Sequence, residues 1–381
     1  MTPKKILITG GAGFIGSSLA NVLVARGYEV TILDNLSPQI HGEKGENSYL
    51  FRQIKDKVHF IKGDVLQRED WQKAMPGQEA VIHLAAETGT GQSMYEIARY
   101  MDVNVNGTGL MLDYLANTSH DVKKVVVASS RAIYGEGKYW SPRAGQMVYP
   151  PQRKAEDLGN GIFDPLCPLT GGALELRATD ESAAIHPNSI YGLTKYNQEQ
   201  AVMIVCSSLG IPAVAFRYQN VYGPGQSLKN PYTGILSIFS TRILAEKGIN
   251  IFEDGLESRD FVYIDDVVDA TILGLEKKEA DFLSFNVGTG VPTTVLTVAH
   301  TLSKHYKKSV PVEVSGEYRV GDIRHNYADL SLIGEKLGFE PKVDFDKGIQ
   351  QFTQWVLSQE VEEDHYESSL QELRKKGMMK G

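Results

Sequence analysis

The sequence predicts an α/β protein: a doubly wound, mostly parallel sheet, a smaller C-terminal lobe and one long insert. Three observations predict it. Short apolar runs alternate with helically spaced apolar residues through the first third of the chain. The runs lack a polar face, as strands covered on both sides do. A glycine cluster stands where the first run meets the first helical pattern.

Taken in order, Ile6-Leu7-Ile8-Thr9 is a buried strand that ends in glycines. Residues 14–26 place Ile15, Leu19, Val22 and Leu23 at helical spacing. Glu29–Leu33 is a second strand, and Val58–Ile61, Ala80–Leu84 and Lys124–Ala128 read the same way. Strands joined through helices pair in parallel by crossovers, which gives a Rossmann-type sheet. Residues 135–187 break the pattern. They are rich in Gly, Pro and polar residues, and longer than loops in compact domains usually are, so they read as a functional insert or lid. Ser189–Ser208 is a helix and Ala213–Arg217 a strand. From Pro224 onward a helix (Ile235–Glu246), short strands and loops make a lobe expected to close over the sheet's carboxyl edge. The expected division is a nucleotide-binding domain over 1–223 and a substrate-binding lobe over 224–358, with some segments returning to the first domain. The tail over 359–381 is acidic, then basic, and reads as a surface helix or a partly disordered stretch.

The 381 residues suffice for one large domain or two lobes. A net charge of −8 argues against a general nucleic-acid binder, because phosphate contacts need clustered Lys and Arg. It leaves room for a small anionic ligand, which needs a few local donors. The cysteines, Cys167 and Cys206, could form at most one disulfide, a pattern that fits a reducing cytosol. A strand opens at Lys4, which leaves no room for a signal peptide. No apolar run approaches the roughly 20 residues a membrane span needs. The expectation is a cytoplasmic protein with no nucleic-acid or membrane partner.

Gly10-Gly11-Ala12-Gly13-Phe14-Ile15-Gly16 sits between the first strand and the first helix. Small residues there let the backbone approach a pyrophosphate, and the helix N-terminus offers free N–H groups. The Gly-x-x-Gly-x-x-Gly spacing departs from the usual Gly-x-Gly-x-x-Gly. Asp34 closes the second strand, 18 residues past Gly16. A carboxylate there accepts from ribose hydroxyls and repels a 2′-phosphate, which favours NAD over NADP. Asp34-Asn35 would also serve as a plain turn cap. Asp64, in Gly63-Asp64-Val65, could face the adenine, and His83-Leu84-Ala85-Ala86 ends a strand with residues small enough to pack beneath a ribose.

Tyr191-Gly192-Leu193-Thr194-Lys195 puts a phenol and an ammonium on one helix face. A phenol with its ordinary pKa near 10 is a poor base at neutral pH, and nearby positive charge lowers that value. The pair is not isolated. Val125 to Ser130 is a strand ending in the hydroxyls of Ser129 and Ser130. Ser130, Tyr191 and Lys195 make a triad: a hydroxyl to orient substrate, a phenol to move a proton, and a lysine to hold ribose and tune the phenol.

Together these residues resemble the extended short-chain dehydrogenase/reductase family, the NAD-dependent epimerases and dehydratases of nucleotide sugars. The resemblance runs on through Asn104-Val105-Asn106-Gly107-Thr108, Arg217 to Pro224, Ser258 to Asp266, Phe285-Asn286-Val287-Gly288 and Arg319-Val320-Gly321-Asp322. It implies a catalytic Ser130, Tyr191 and Lys195. It implies an NAD site built from Gly10, Gly13, Phe14, Ile15, Gly16, Asp34, Asn35, Asp64, Val65, Leu84, Ala85, Ala86, Asn104, Ser129 and Tyr218 as well as Tyr191 and Lys195. It implies that Thr88, Ser130, Arg131, Asn220, Arg259, Arg319 and Asp322 bind the substrate, with Asn220, Arg259 and Arg319 on the diphosphate. Arg suits that task through bidentate, charge-assisted bonds. A homodimer paired through a four-helix bundle is implied as well.

The family's dehydratases carry an Asp-Glu pair after the catalytic hydroxyl; here Arg131 and Ala132 stand there. Its reductases commonly prefer NADP, which Asp34 disfavours, and its decarboxylases place an acidic residue near the triad that is absent here. Within the resemblance, epimerase remains, since it needs only a reversible oxidation, a base and a keto sugar able to turn over. The motif order, the segment Asn230–Gly234 and the long insert resemble the family's bacterial dTDP-L-rhamnose 4-epimerases, with UDP-hexose 4-epimerases and nucleotide-sugar reductases as alternatives and a regulatory NAD-binding module as the different class. No metal site is expected. Tyr139 to Gly145 and Cys167-Pro168-Leu169-Thr170-Gly171 resemble the two knuckles of a zinc ribbon, but Cys167 and the distant His186 fall short of the four ligands zinc needs. The insert is expected to pack instead through Trp140, Tyr149, Phe163 and Leu166.

Overall fold

The computed structural model describes residues 3–228, 234–319, 321–359 and 366–380. Most of Asn230–Gly234, and Val320, lie outside the described residues. The centre is a parallel sheet of seven strands: β1 (Lys5–Thr9), β2 (Glu29–Asp34), β3 (His59–Lys62), β4 (Ala80–His83), β5 (Lys124–Ser130), β6 (Ala213–Tyr218) and β7 (Leu283–Val287). Their order across the sheet is β7-β6-β5-β4-β1-β2-β3. Strand order reverses between β1 and β4, and such a switch point is where open α/β sheets bind ligands.

Alternation along each strand explains why the runs are apolar throughout. Ile6 and Ile8 join one buried cluster, while Leu7 between them joins another on the opposite face. The first cluster does not stop at the sheet. It continues through Phe261 and Tyr263 to Val298 and Phe352, so the C-terminal lobe shares the sheet's core. After the lobe begins, the chain also sends β7 and the helix Ile264–Glu276 back to the sheet.

The insert holds a small antiparallel sheet in which Tyr139–Ser141 pairs with Gln146–Val148 and with Glu175–Leu176. One apolar cluster within it joins buried Tyr139, Val148 and Cys167, backed by Leu174 and Leu176. This corrects the expected packing: Leu166 is 40% exposed, and Tyr149 packs on Ile133, Tyr134 and Ala183 instead. Strand geometry is the reason, because Tyr139 and Ser141 face inward and Trp140 between them faces away. The two knuckle-like segments form matching turns. Gly145 N donates to Ser141 O, and Gly171 N to Cys167 O, both at 2.8 Å. Ser141 Oγ lies 3.2 Å from Cys167 Sγ. Among the described residues no group of three or more His, Cys, Asp or Glu gathers as metal ligands would.

The tail forms the helix Tyr366–Lys375 and then a short strand, Met379–Lys380, which pairs with Tyr318–Arg319. That strand has no signal in the sequence.

Candidate active site

A cavity of about 420 Å³ opens at the carboxyl end of the sheet. Every predicted cofactor contact lines it except Asn104. Gly10 has a left-handed backbone (φ 65°), and a Cβ on it would stand 2.8 Å from Ala85 Cα. A Cβ on Gly16 would stand 2.5 Å from Gly10 O. The loop therefore tolerates no side chain at either place. No side chain caps the helix Phe14–Ala25, so its N-terminal dipole is left for a ligand.

Asp34 does two jobs. Its Oδ2 accepts from Ala12 N at 2.9 Å and its Oδ1 from Leu36 N at 2.8 Å. It thus caps the turn and ties the glycine loop to β2 while lining the cavity. Burial pushes its carboxyl above the usual range, and those hydrogen bonds act the other way. Asn35 Nδ2 donates to Asp64 Oδ2 at 3.0 Å, which closes this end of the cavity. In its wall, Ser129 Oγ and both amide atoms of Gln219 are buried without a hydrogen-bond partner among the described residues. Unpaired buried polar atoms cost about 1–3 kcal/mol each, so this wall fits a polar ligand, and the glycine cradle with Asp34 fits a dinucleotide.

Asn104 stands behind the cavity. Its Oδ1 accepts from Glu87 N at 2.7 Å, and its Nδ2 donates to Glu87 O at 3.1 Å and to Thr194 Oγ1 at 2.9 Å. Fully buried, with its amide engaged by protein, it does not line the cavity; it fixes the loop after β4 against the Tyr191 helix.

The triad converges. Ser130 ends β5, and its Oγ accepts from Ala132 N at 3.1 Å, which leaves its proton to donate. Ser189 Oγ accepts from Gly192 N and starts the helix Ile190–Leu209, so Tyr191 and Lys195 sit one turn apart near its beginning. Burial raises the Tyr191 phenol, and Ser130 and the Arg131 guanidinium draw it back. Burial lowers the Lys195 ammonium to about 7, with Glu199 opposing. Lys195 Nζ donates to Gln198 Oε1 at 2.7 Å, and Gln198 Nε2 donates to Thr108 Oγ1 at 2.9 Å.

Of the predicted substrate residues, Thr88, Ser130, Arg131 and Asn220 line the main cavity. Arg131 Nε donates to Asn220 Oδ1 at 2.9 Å. Burial, and then the Arg259 guanidinium, lower Arg131 to about 9. Arg259 itself lines neither cavity; it is held by the carbonyls of Ser258, Ile323 and Arg324 at 2.7–3.0 Å. Arg319 and Asp322 line a smaller neighbouring cavity with Asn188, Thr90 and Met378. Arg319 rests 4.8 Å from the Phe252 ring centroid, and its Nε is buried without a hydrogen-bond partner among the described residues.

Sequence reasoning missed Gln198, Gln219, Asn188 and Met378. Gln198 lies three residues past Lys195, a spacing at which helix side chains meet, and Gln219 adjoins Asn220, so both had a signal. Asn188 and Met378 had none. A buried ion network ties the insert to the lobe: Arg153 meets Glu136 at 3.2 Å and Glu253 at 2.8 Å, and Arg324 meets Glu253 at 3.0 Å. Burial raises Glu136 to about 7.

A profile of the NAD dependent epimerase/dehydratase family matches residues 6–156 and 170–288. The chain belongs to that family. The gap in the match, 157–169, falls inside the insert. The dTDP-L-rhamnose 4-epimerase of Burkholderia thailandensis is 38% identical over 93% of this chain and 96% of that protein. UDP-glucose 4-epimerase of Thermotoga maritima, solved with UDP-glucose, is 30% identical with a TM-score of 0.73, over 93% of this chain and 98% of that one. UDP-glucuronic acid 4-epimerase of Bacillus cereus, solved with UDP-glucuronic acid and NAD, is 25% identical with a TM-score of 0.74, over 93% and 99%. The chain is an NAD-dependent nucleotide-sugar epimerase-family enzyme, and NAD is its cofactor. No helix among the described residues is long and apolar enough to cross a membrane.

Proposed function

We propose that this family member inverts C4 of dTDP-L-rhamnose to give dTDP-6-deoxy-L-talose, through a 4-keto sugar. The observation that carries the reading is the triad with Arg131, not a carboxylate, directly after Ser130. Dehydration needs acid chemistry at that place, which a guanidinium does not supply; epimerisation does not need it. The sugar and base rest on the 38% identity to the Burkholderia enzyme along nearly the whole length of both chains.

Ser130 donates to the C4 oxygen and orients it. Tyr191, as phenolate, takes the C4 hydroxyl proton and later returns it. Lys195 and Arg131 are the cations that favour that phenolate, and Lys195, released from Gln198, holds a ribose hydroxyl. NAD in the glycine cradle supplies a reversible two-electron oxidation of C4. Asn220, Arg259 and Arg319 hold the diphosphate while the keto sugar turns over, and Thr88 and Asp322 contact the sugar and nucleotide. The insert over 135–187 acts as a metal-free lid that keeps water from the keto sugar, and the 224–358 lobe closes the nucleotide end. Leu193, Ile204 and Leu209 leave apolar surface exposed on the triad's helix, Ile204 at 63%, which fits pairing with a second copy.

The test is to incubate purified enzyme with dTDP-L-rhamnose, UDP-glucose or UDP-glucuronic acid, with no cofactor added, and to identify products by NMR. Formation of the talose epimer from the first supports the reading. Turnover of a UDP-sugar alone moves the assignment to UDP-hexose 4-epimerase, and no turnover of any of them rejects it.

A further inference from the structure

The C-terminal tail ends beside the substrate wall. Its last strand places Met379 opposite Arg319. Leu370 and Met379 are buried against Tyr95, Ile238 and Phe252, and Phe252 is the ring on which the Arg319 guanidinium rests. The tail therefore holds this arginine from two sides, through its backbone and through its stacking partner. Further contacts fix the tail. Arg374 meets Glu317 at 2.6 Å, and Lys376 Nζ stands 3.9 Å over the Tyr95 ring.

Met378 reaches the small cavity where Arg319 and Asp322 meet Asn188, Thr90 and Gly91. Two buried donors there, Arg319 Nε and Asn188 Nδ2, have no hydrogen-bond partner among the described residues. Donors without acceptors call for an acceptor-rich ligand. Charge agrees: in a chain of net charge −8, this tail carries Arg374, Lys375, Lys376 and Lys380 against Glu367 and Glu372.

We propose that residues 366–380 form a clasp that completes the nucleotide-sugar site, with the Met379 strand and the Phe252 contact positioning Arg319 and with Met378 walling the diphosphate end. The proposal rests on the reading of Arg319 as a diphosphate ligand. The tail residues are positioning residues; none of them touches the reacting carbon.

Titration calorimetry with dTDP tests it, with UDP in parallel so that the base does not decide the outcome. Leu370→Asp puts a carboxylate into the tail's apolar contact and undocks it, away from the NAD cradle. Nucleoside diphosphate affinity should fall roughly tenfold, the scale of losing one pre-ordered side chain, while bound NAD and kcat at saturating sugar stay at wild-type levels. Met378→Ala, which leaves the tail docked, should weaken binding about threefold by the same scale. It decides the matter if Leu370→Asp does not fold. Arg319→Ala should weaken binding by itself, and adding Leu370→Asp to it should cost little more, because the clasp acts through that arginine. Unchanged affinity in both Leu370→Asp and Met378→Ala, with Arg319→Ala impaired, overturns the clasp and leaves the reading of Arg319 standing. Fully multiplicative losses in the double variant also overturn it. Unchanged affinity in Arg319→Ala overturns that reading and the clasp together.

Discussion

The two ends of the catalytic cleft are built from different materials. The cofactor end is set by backbone: a left-handed Gly10, a Gly16 with no room for Cβ, and main-chain N–H groups bound to Asp34. That cradle lies near the start of the chain, while Ser129, Tyr191, Lys195 and Tyr218 line the cavity from later segments. The proposed substrate end draws on long side chains from segments far apart: Arg131 in the main cavity, Asn188 and Arg319 in the smaller one, and Arg259 held by carbonyls outside both. A backbone cradle is rigid before its ligand arrives. A wall of guanidiniums must be held in place by something else: the carbonyls around Arg259, the Phe252 ring under Arg319, the amide of Asn220 beside Arg131. The cofactor end should therefore fail by losing NAD, and the substrate end by losing affinity for the sugar nucleotide.

Tyr191, where the two ends meet, should show the largest effect. Tyr191→Phe keeps the ring but has no proton to move, so turnover should fall by about 10²–10⁴ with bound NAD unchanged. Near-normal turnover would remove the residue from the mechanism. Arg319→Ala comes next. A hydrogen bond to a charged group is worth about 1.5–3 kcal/mol, so KM should rise roughly 10- to 100-fold while NAD content stays whole. Loss of NAD from this variant would erase the distinction between the ends. Asp34→Ala is the converse. It frees two backbone N–H groups and should let NAD escape, about tenfold more readily, without changing KM once NAD is saturating; the nucleotide released on denaturation reports it.

The smallest effect is on stability against pH. Buried Lys195 loses its proton near 7, whereas the unfolded lysine keeps it to about 10.5. Over that window the unfolded chain binds more protons, so cofactor-free protein should gain stability as pH rises from 7 toward 10.5. Lys195→Met should flatten the slope of Tm between pH 7 and 9. Glu136 and Glu257, raised by burial from 4.5 to about 7, act lower. There the native state holds the extra proton, and stability falls as pH rises from 4.5 to 7. A slope that survives in Lys195→Met would assign it to other groups.

The same contrast governs what could be read from the chain alone. The sheet was legible because its signal is local: apolar runs, helical spacing, glycines at a junction. β5 runs on to Ser130, two residues past the apolar run, because the backbone ladder with β6 continues through Ser129 opposite Arg217 and Ser130 opposite Tyr218. Tyr191 and Lys195 were legible because one helical turn joins them. Asn104 carried a family signature yet faces protein, since a motif records that an amide is needed and not which way it points. Trp140 looked like the insert's anchor on size, but strand alternation turned Tyr139 inward. Met378 beside Arg319 was out of reach, because the two meet across a short strand pair that leaves no periodicity to read.

The apolar cluster that runs from Ile6 to Val356 without a break between sheet and lobe has a mechanical consequence. A clam-shell opening of the lobes would uncover that cluster, at about 25 cal/mol for each Å² exposed. Traffic of the sugar nucleotide is then the work of peripheral segments. Amide exchange should find the sheet and the lobe protected as one block, with the insert and the tail exchanging on the timescale of turnover.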